Sequence, residues 1–180
     1  KLFRDNTRLV MTESPGSLTF EVQDLPAIIA AAKKRDIYVA VDNTWATPLY
    51  LKPLEMGADI SIHAVTKYIG GHSDIMLGSA TANKRTFKAL QRTAYQLGQT
   101  CSPDDAFLAS RGIRTLGVRL KVHEENALKV AAWLKDQPEV AQVLHPAFED
   151  CPGHDIWERD FAGSTGLFSI VLKGGDYPDT

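Results

Sequence analysis

The sequence predicts an α/β protein: a three-layer domain around a mainly parallel sheet, followed by the start of a smaller α+β unit. Three observations carry this expectation. Short runs of β-formers alternate with helical stretches as far as Ala82. One run, residues 37–41 (Ile-Tyr-Val-Ala-Val), is almost unbroken, as expected of a central parallel strand buried on both faces. From Lys84 the pattern turns helical, and two further strand-like runs appear only after that.

Taken in order, residues 9–12 read as a short buried strand, stopped by Ser14, Pro15, Gly16 and Ser17. Asp24 is placed to cap a helix, with Pro26 in its first turn, where a missing amide costs little. The helix continues through an alanine-rich stretch to two lysines. After the 37–41 strand, residues 47–56 form a short helix closed by Gly57. Residues 59–65 make another strand and residues 76–82 a further one. Residues 84–97 are amphipathic and end at Gly98. Pro103 opens a long helical segment to about Lys135, with Gly112 and Gly117 as breaks. Residues 140–144 form a strand, residues 145–153 a loop bearing Pro and Gly, and residues 167–172 a second strand. The long helix is expected to bridge into the second unit.

Composition narrows the function classes. A length of 180 residues allows one domain and part of another. With 44% hydrophobic and 23% charged residues, the chain is of ordinary soluble globular type. Net charge is −2 with the signs interleaved, so no basic stripe points to nucleic acid. Apolar runs such as residues 27–32 are too short to span a bilayer, and no membrane partner is expected. Cys101 and Cys151 have no CxxC spacing, which implies neither a zinc site nor a disulfide framework. Cytoplasmic residence is the expectation. The first residues are no signal peptide. The chain starts without Met, and both ends read as cut from a longer protein.

Chemistry in parallel sheets gathers at the carboxyl ends of the strands. Asp42 follows the 37–41 strand, and a carboxylate there needs a partner. Lys67 follows the 59–65 strand and precedes a polar turn, Gly70-Gly71-His72-Ser73-Asp74. A Schiff-base lysine must be reachable and able to lose its proton. A pyridinium nitrogen needs an acidic partner, usually Asp. The 25 residues from Asp42 to Lys67 fit one strand–helix–strand passage, which brings both to one edge of the sheet. On these grounds alone, Asp42 equally suits a turn or cap and Lys67 a solvated surface.

The literal residues go further. Val41-Asp42-Asn43-Thr44-Trp45-Ala46-Thr47-Pro48 and Ala64-Val65-Thr66-Lys67-Tyr68-Ile69-Gly70-Gly71-His72-Ser73-Asp74 together resemble the Cys/Met-metabolism family of pyridoxal-phosphate enzymes, of the aspartate-aminotransferase fold type. Ser110-Arg111-Gly112-Ile113-Arg114-Thr115-Leu116, His145-Pro146 and Gly163-Ser164-Thr165-Gly166-Leu167-Phe168-Ser169 resemble its later segments. Within the family, Trp45 and Glu13-Ser14-Pro15-Gly16-Ser17 resemble the bacterial cystathionine β-lyase branch.

The resemblance implies pyridoxal 5'-phosphate as cofactor and a small sulfur amino acid as substrate, with β-elimination of L-cystathionine as the reaction. It implies that Lys67 binds the cofactor covalently and moves the Cα proton. Asp42 matches the partner of the pyridine nitrogen, and Thr66 a hydroxyl on the cofactor phosphate. Ser17 falls where relatives carry an Asn near the cofactor's 3-oxygen. Ala64 stands where many relatives have a second phosphate-binding Ser. Residues 1–115 then correspond to the later part of the cofactor-binding large domain, and residues 116–180 to the beginning of the small domain. The full-length protein is expected to be a homo-oligomer, a tetramer built from dimers. The family's carboxylate-binding Arg, ring-stacking Tyr and glycine-rich phosphate segment fall outside these residues, so the isolated chain is expected to be weak or inactive.

Other conspicuous residues take plainer roles. His63 reads as packed or hydrogen-bonded, and His72 as ordering its loop or a subunit contact. Trp45 either shapes a pocket or packs. Trp133 and Trp157 read as core or interface residues. Gly70-Gly71 reads as a turn, since no G-x-G-x-x-G follows. Cys101 has no base near it in sequence. His123-Glu124-Glu125 lacks the second His of a zincin, so no metal is expected.

Overall fold

A computed structural model describes residues 2–174; residues 175–180, assigned above to the second unit, lie outside the described residues. Strands β1 (Leu9–Glu13), β2 (Tyr38–Asp42), β3 (Ile60–Ala64) and β4 (Gly78–Ala82) form one sheet in that order. The first three run parallel, and β4 is antiparallel to β3. The mixed α/β class with a mainly parallel sheet is therefore as expected. Three consecutive residues of β2, Val39, Ala40 and Val41, are buried, so both faces of that strand are covered.

Helix α1 (Leu25–Lys33) starts as expected: the Asp24 carboxylate accepts from the Ala27 amide at 3.1 Å. Its apolar side buries Leu25, Ile29 and Ala32 in a core shared with Ile37, Val39 and Val41. The single helix expected over residues 47–56 is instead two turns, α2 (Thr47–Tyr50) and α3 (Pro53–Met56). The cause is local. Leu51 is extended and Lys52 is pushed out of the helical region by Pro53 behind it. Gly57, at φ 103°, closes α3 as expected.

Helix α4 (Phe87–Gln96) follows the sheet, and then α5 (Pro103–Ile113) and α6 (Leu116–Lys135). The break in the long helical segment falls at Arg114–Thr115, between the two glycines proposed as breaks. Helix α6 buries Leu120, Ala127 and Ala131. It packs beside a two-stranded antiparallel sheet of β5 (Val140–Leu144) and β6 (Ser169–Leu172). Strand β6 starts two residues later than expected. Between them lies α7 (His154–Asp160), a short helix that the periodicity did not announce. Ile156, Trp157 and Phe161 return to the first core, so the later segment is tied to the first sheet. Trp157 thus packs, half-buried, against that core, whereas Trp133 is 61% exposed and the core reading fails for it.

No described helix is long and apolar enough to cross a membrane.

Candidate active site

A cleft of about 830 Å³ opens where β1 and β3 end. That lies within the range of about 300–1,000 Å³ usual for small-molecule and cofactor sites. Three sequence-predicted residues or their neighbours meet there: Ser17, Thr66 and Lys67, with Thr44 and Trp45 beside them.

Lys67 is exposed, one turn beyond β3. Its amide donates to Ala64 O at 2.9 Å, Gly70 donates to Val65 O at 2.7 Å, and Gly71 to Lys67 O at 2.8 Å. These bonds fold residues 64–71 into a compact turn with the amine facing the cleft. Gly71 has φ 77°, which suits glycine there. His72 Nδ1 lies 2.8 Å from Gly70 O, so it orders this loop.

Thr66 lines the cleft, but its hydroxyl also organises the chain behind it. It accepts from the Leu77 amide at 2.9 Å and lies 3.2 Å from Leu77 O. A phosphate would have to draw its hydrogen from that carbonyl. Asp42 is half-buried at the end of β2 and paired in register with Glu13 of β1 and Ile62 of β3. Its Oδ1 accepts from the Thr44 amide at 2.9 Å. It sits behind the cleft lining, one residue before Asn43 and two before Thr44. Ala64 likewise lies behind the wall, its amide donating to Thr44 Oγ1 at 2.8 Å.

Ser17 stands on an exposed loop that folds over the cleft. Its hydroxyl donates to Glu13 at 2.8 Å. The base of the loop is pinned by buried Ser14, whose hydroxyl accepts from the Gln23 amide at 2.9 Å. Leu18 and Phe20 adopt φ 69° and 54°, conformations that cost an ordinary side chain free energy.

Trp45 both packs and shapes the pocket. It is 7% exposed, meets Phe161 edge-on at 6.1 Å, and donates from Nε1 to Leu167 O at 2.9 Å. His63 is buried, as read from sequence, and burial pushes its pKa down, against the pull of the Asp42 carboxylate. It takes no part in lining the cleft.

Sequence reasoning missed the opposite wall. Arg119 and His123 of α6, with Leu167, Phe168 and Ser169, complete the cleft. The His123 ring lies 5.6 Å from that of Tyr68, whose hydroxyl accepts from the Gly166 amide at 3.1 Å. Glu124, in the segment tested above for a zincin pattern, accepts instead from the amide and hydroxyl of Ser164, at 2.7 and 3.0 Å. The available signal was the i, i+4, i+8 spacing of Thr115, Arg119 and His123, which puts three polar groups on one helix face.

The residues present fit a pyridoxal-phosphate group. A reachable amine faces a cleft of the right size, a carboxylate lies at the neighbouring strand end, and hydroxyls of Ser17 and Thr66 stand on its rim. Lys67 would hold the group covalently, Asp42 its ring nitrogen, and Thr66 its phosphate.

Known proteins place the chain. It is 51% identical to cystathionine β-lyase of Escherichia coli over 175 residues, covering 96% of this chain and 44% of that protein. It is 43% identical to an L-alanine/L-glutamate racemase of Wolbachia pipientis, covering 95% of this chain and 42% of that protein. A crystal structure of cystathionine γ-synthase from Xanthomonas oryzae superposes with a TM-score of 0.90 at 42% identity, over 94% of this chain and 44% of that one. The chain therefore spans less than half the length of these relatives. The sequence profile of the Cys/Met metabolism PLP-dependent enzymes matches residues 1–178. Those relatives are named for different reactions, and this chain belongs to the Cys/Met metabolism family of pyridoxal-phosphate-dependent enzymes.

Proposed function

We propose that the full-length protein is a cytoplasmic carbon–sulfur lyase that cleaves L-cystathionine by β-elimination, giving homocysteine, pyruvate and ammonia. The observation that carries the reading is the placement of Lys67: an exposed amine on a hydrogen-bonded turn, facing a cleft at the strand ends. Relatives named cystathionine β-lyase favour this reaction over its neighbours.

Within that reading each residue has a task. The cofactor supplies an electron sink for the substrate's Cα. Lys67 Nζ would take the proton from Cα and is placed to hand it to the departing sulfur. General-base transfer of this kind contributes roughly 10²–10⁴-fold. The Asp42 carboxylate keeps a proton on the ring nitrogen, and the Thr44 amide holds that carboxylate still. Thr66 and Ser17 hydrogen-bond the cofactor's polar edges. Trp45, packed on Phe161, closes one side against water. The sulfur then leaves from Cβ as a thiolate, and hydrolysis of the remaining imine releases ammonia and pyruvate.

Residues 1–115 belong on this reading to the large cofactor domain and residues 116–180 to the start of the small one. The protein works as a homotetramer whose missing site residues come from the rest of the chain and a neighbouring subunit.

The test uses the full-length protein. It should show a yellow band that borohydride bleaches, and cystathionine should yield pyruvate. Lys67→Ala should lose the bleachable band and the lyase activity together; retention of both overturns the assignment. The second reading is another family reaction, γ-elimination, γ-replacement or racemisation, favoured by the racemase and γ-synthase relatives. Formation of 2-oxobutyrate in place of pyruvate would select γ-elimination.

A further inference from the structure

We propose that Arg119 is a positioning residue for Lys67: it clamps the turn that carries the lysine. The inference rests on Lys67 being the cofactor lysine.

The backbone bonds of the turn use the amides of Lys67, Gly70 and Gly71 and leave the carbonyls of Tyr68 and Ile69 without a backbone donor. Arg119 takes both. Its Nη1 donates to Tyr68 O at 2.7 Å and its Nη2 to Ile69 O at 3.3 Å. The same Nη2 donates to Gly112 O at the end of α5, at 2.9 Å, and Nε donates to Thr115 Oγ1 at 3.0 Å. One planar fork thus ties the lysine turn to the α5–α6 junction, a task suited to guanidinium and not to a single ammonium.

Two glycines make room for it. A Cβ on Gly71 would run into the Arg119 guanidinium. A Cβ on Gly112 would run into Ile69 O, and would come within 2.6 Å of Gly70 O. The helix end therefore lies directly against the backbone of the turn. His123, one helical turn beyond Arg119, touches the Tyr68 ring and extends the same ridge.

All of the guanidinium's acceptors are neutral oxygens, and among the described residues no carboxylate competes with the lysine turn for it.

The experiment compares Arg119→Gln and Arg119→Lys in the full-length, cofactor-loaded protein. In Arg119→Gln the lysine-bound cofactor band should persist. Turnover should fall about 10- to 100-fold, the cost of a misplaced group, with little change in KM. Arg119→Lys loses the planar fork but keeps a donor, so it should recover only part of kcat. In the cofactor-free protein, hydrogen exchange at residues 67–71 should quicken in Arg119→Gln while other amides keep their rates. Thr115→Val, which removes the Nε acceptor together with the hydroxyl's own bond to Gly112 O, should move the same readouts in the same directions by less. A lowered unfolding temperature with wild-type kcat and turn exchange overturns the proposal. A band that survives in Lys67→Ala overturns the cofactor reading instead, whatever Arg119 does.

Discussion

The sheet wall of the cleft is made of strand ends and the short turns just beyond them, carrying Thr44, Trp45, Thr66 and Lys67. The opposite wall comes from one face of α6 and from the stretch Leu167, Phe168 and Ser169 entering β6. On the sheet wall, Asp42 and Lys67 are held by bonds to near neighbours in sequence, Thr44 N to Asp42 and Gly71 N to Lys67. On the helix wall, the fixing bonds cross about fifty residues, from Arg119 to Tyr68 and Ile69. Chemistry is carried by local structure and held in place by distant structure. The two walls should therefore fail in different ways.

The largest effect is expected on the sheet wall. On the proposed reading, in which Lys67 binds the cofactor, Asp42→Ala in the full-length protein should retain some cofactor yet lose most turnover. The electron sink weakens once the ring nitrogen has no acidic partner. Steady-state rates beside the absorbance of the bound cofactor check this. Full loss of cofactor in that variant would mean that Asp42 anchors the group and does not tune it.

The helix side carries a pH-dependent contribution to stability. His145, at the end of β5, is fully buried between Phe148 and Phe168, with ring separations of 5.4 and 5.6 Å. Its Nδ1 accepts from the Ala147 amide at 3.1 Å, which leaves the proton on Nε2. Burial pushes its pKa down to about 4 from the ordinary 6.5, although the Glu124 carboxylate pulls the other way. Between those values the unfolded chain binds a proton that the folded chain refuses. Stability is therefore intact above pH 6.5 and is lost as pH falls toward 4. The loss is on the order of 3 kcal/mol. Unfolding midpoints from pH 7 downward should fall, and should fall less in His145→Asn, measured against its own neutral-pH value. An unchanged slope in that variant would assign the acid sensitivity elsewhere.

Where the walls touch, the fit is steric. Gly112→Ala places a methyl group against two backbone carbonyls of the lysine turn, and backbone cannot rotate away as a side chain can. The cost should be about 1–3 kcal/mol. Thermal unfolding reads it. Gly117→Ala, whose Cβ would meet only Leu49 at 3.8 Å, should be tolerated and serves as the control.

The same contrast explains what the sequence could reveal. Strands β1 to β3 and the Asp24 cap were legible because a run of β-formers and a capping carboxylate act within a few residues. The places of Asp42 and Lys67 at or just past strand ends were legible because the β-former runs stop there; the cofactor roles expected of them came from the resemblance of the flanking residues. The split at Leu51 and Lys52 was missed although Pro53 announced it, since Pro at a first helical position looks the same whether it opens or continues a helix. Helix α7 was missed because one seven-residue piece offers too few turns for a periodic signal. Arg119 was missed for a deeper reason. A charged residue on an amphipathic helix ordinarily faces water, and only the folded chain shows backbone carbonyls waiting above it. Glycine at 71 and 112 was visible in the sequence, but its purpose was not.

The smallest effect should come from the bond that joins the walls directly. Trp45 belongs to the sheet wall, yet its Nε1 donates to Leu167 O on the other side, at 2.9 Å. Trp45→Phe keeps an aromatic ring against Phe161 and deletes that donor. Leu167 is 58% exposed, so water can reach the carbonyl that is left. The cost should then stay near the net value of one hydrogen bond, about 1 kcal/mol, without the penalty of a buried orphan. Trp45→Ala removes the ring as well and should cost about 3–5 kcal/mol. Unfolding free energies for the two variants separate the bond from the packing. Equal losses would mean that the indole's donor, and not its burial, keeps the two walls together.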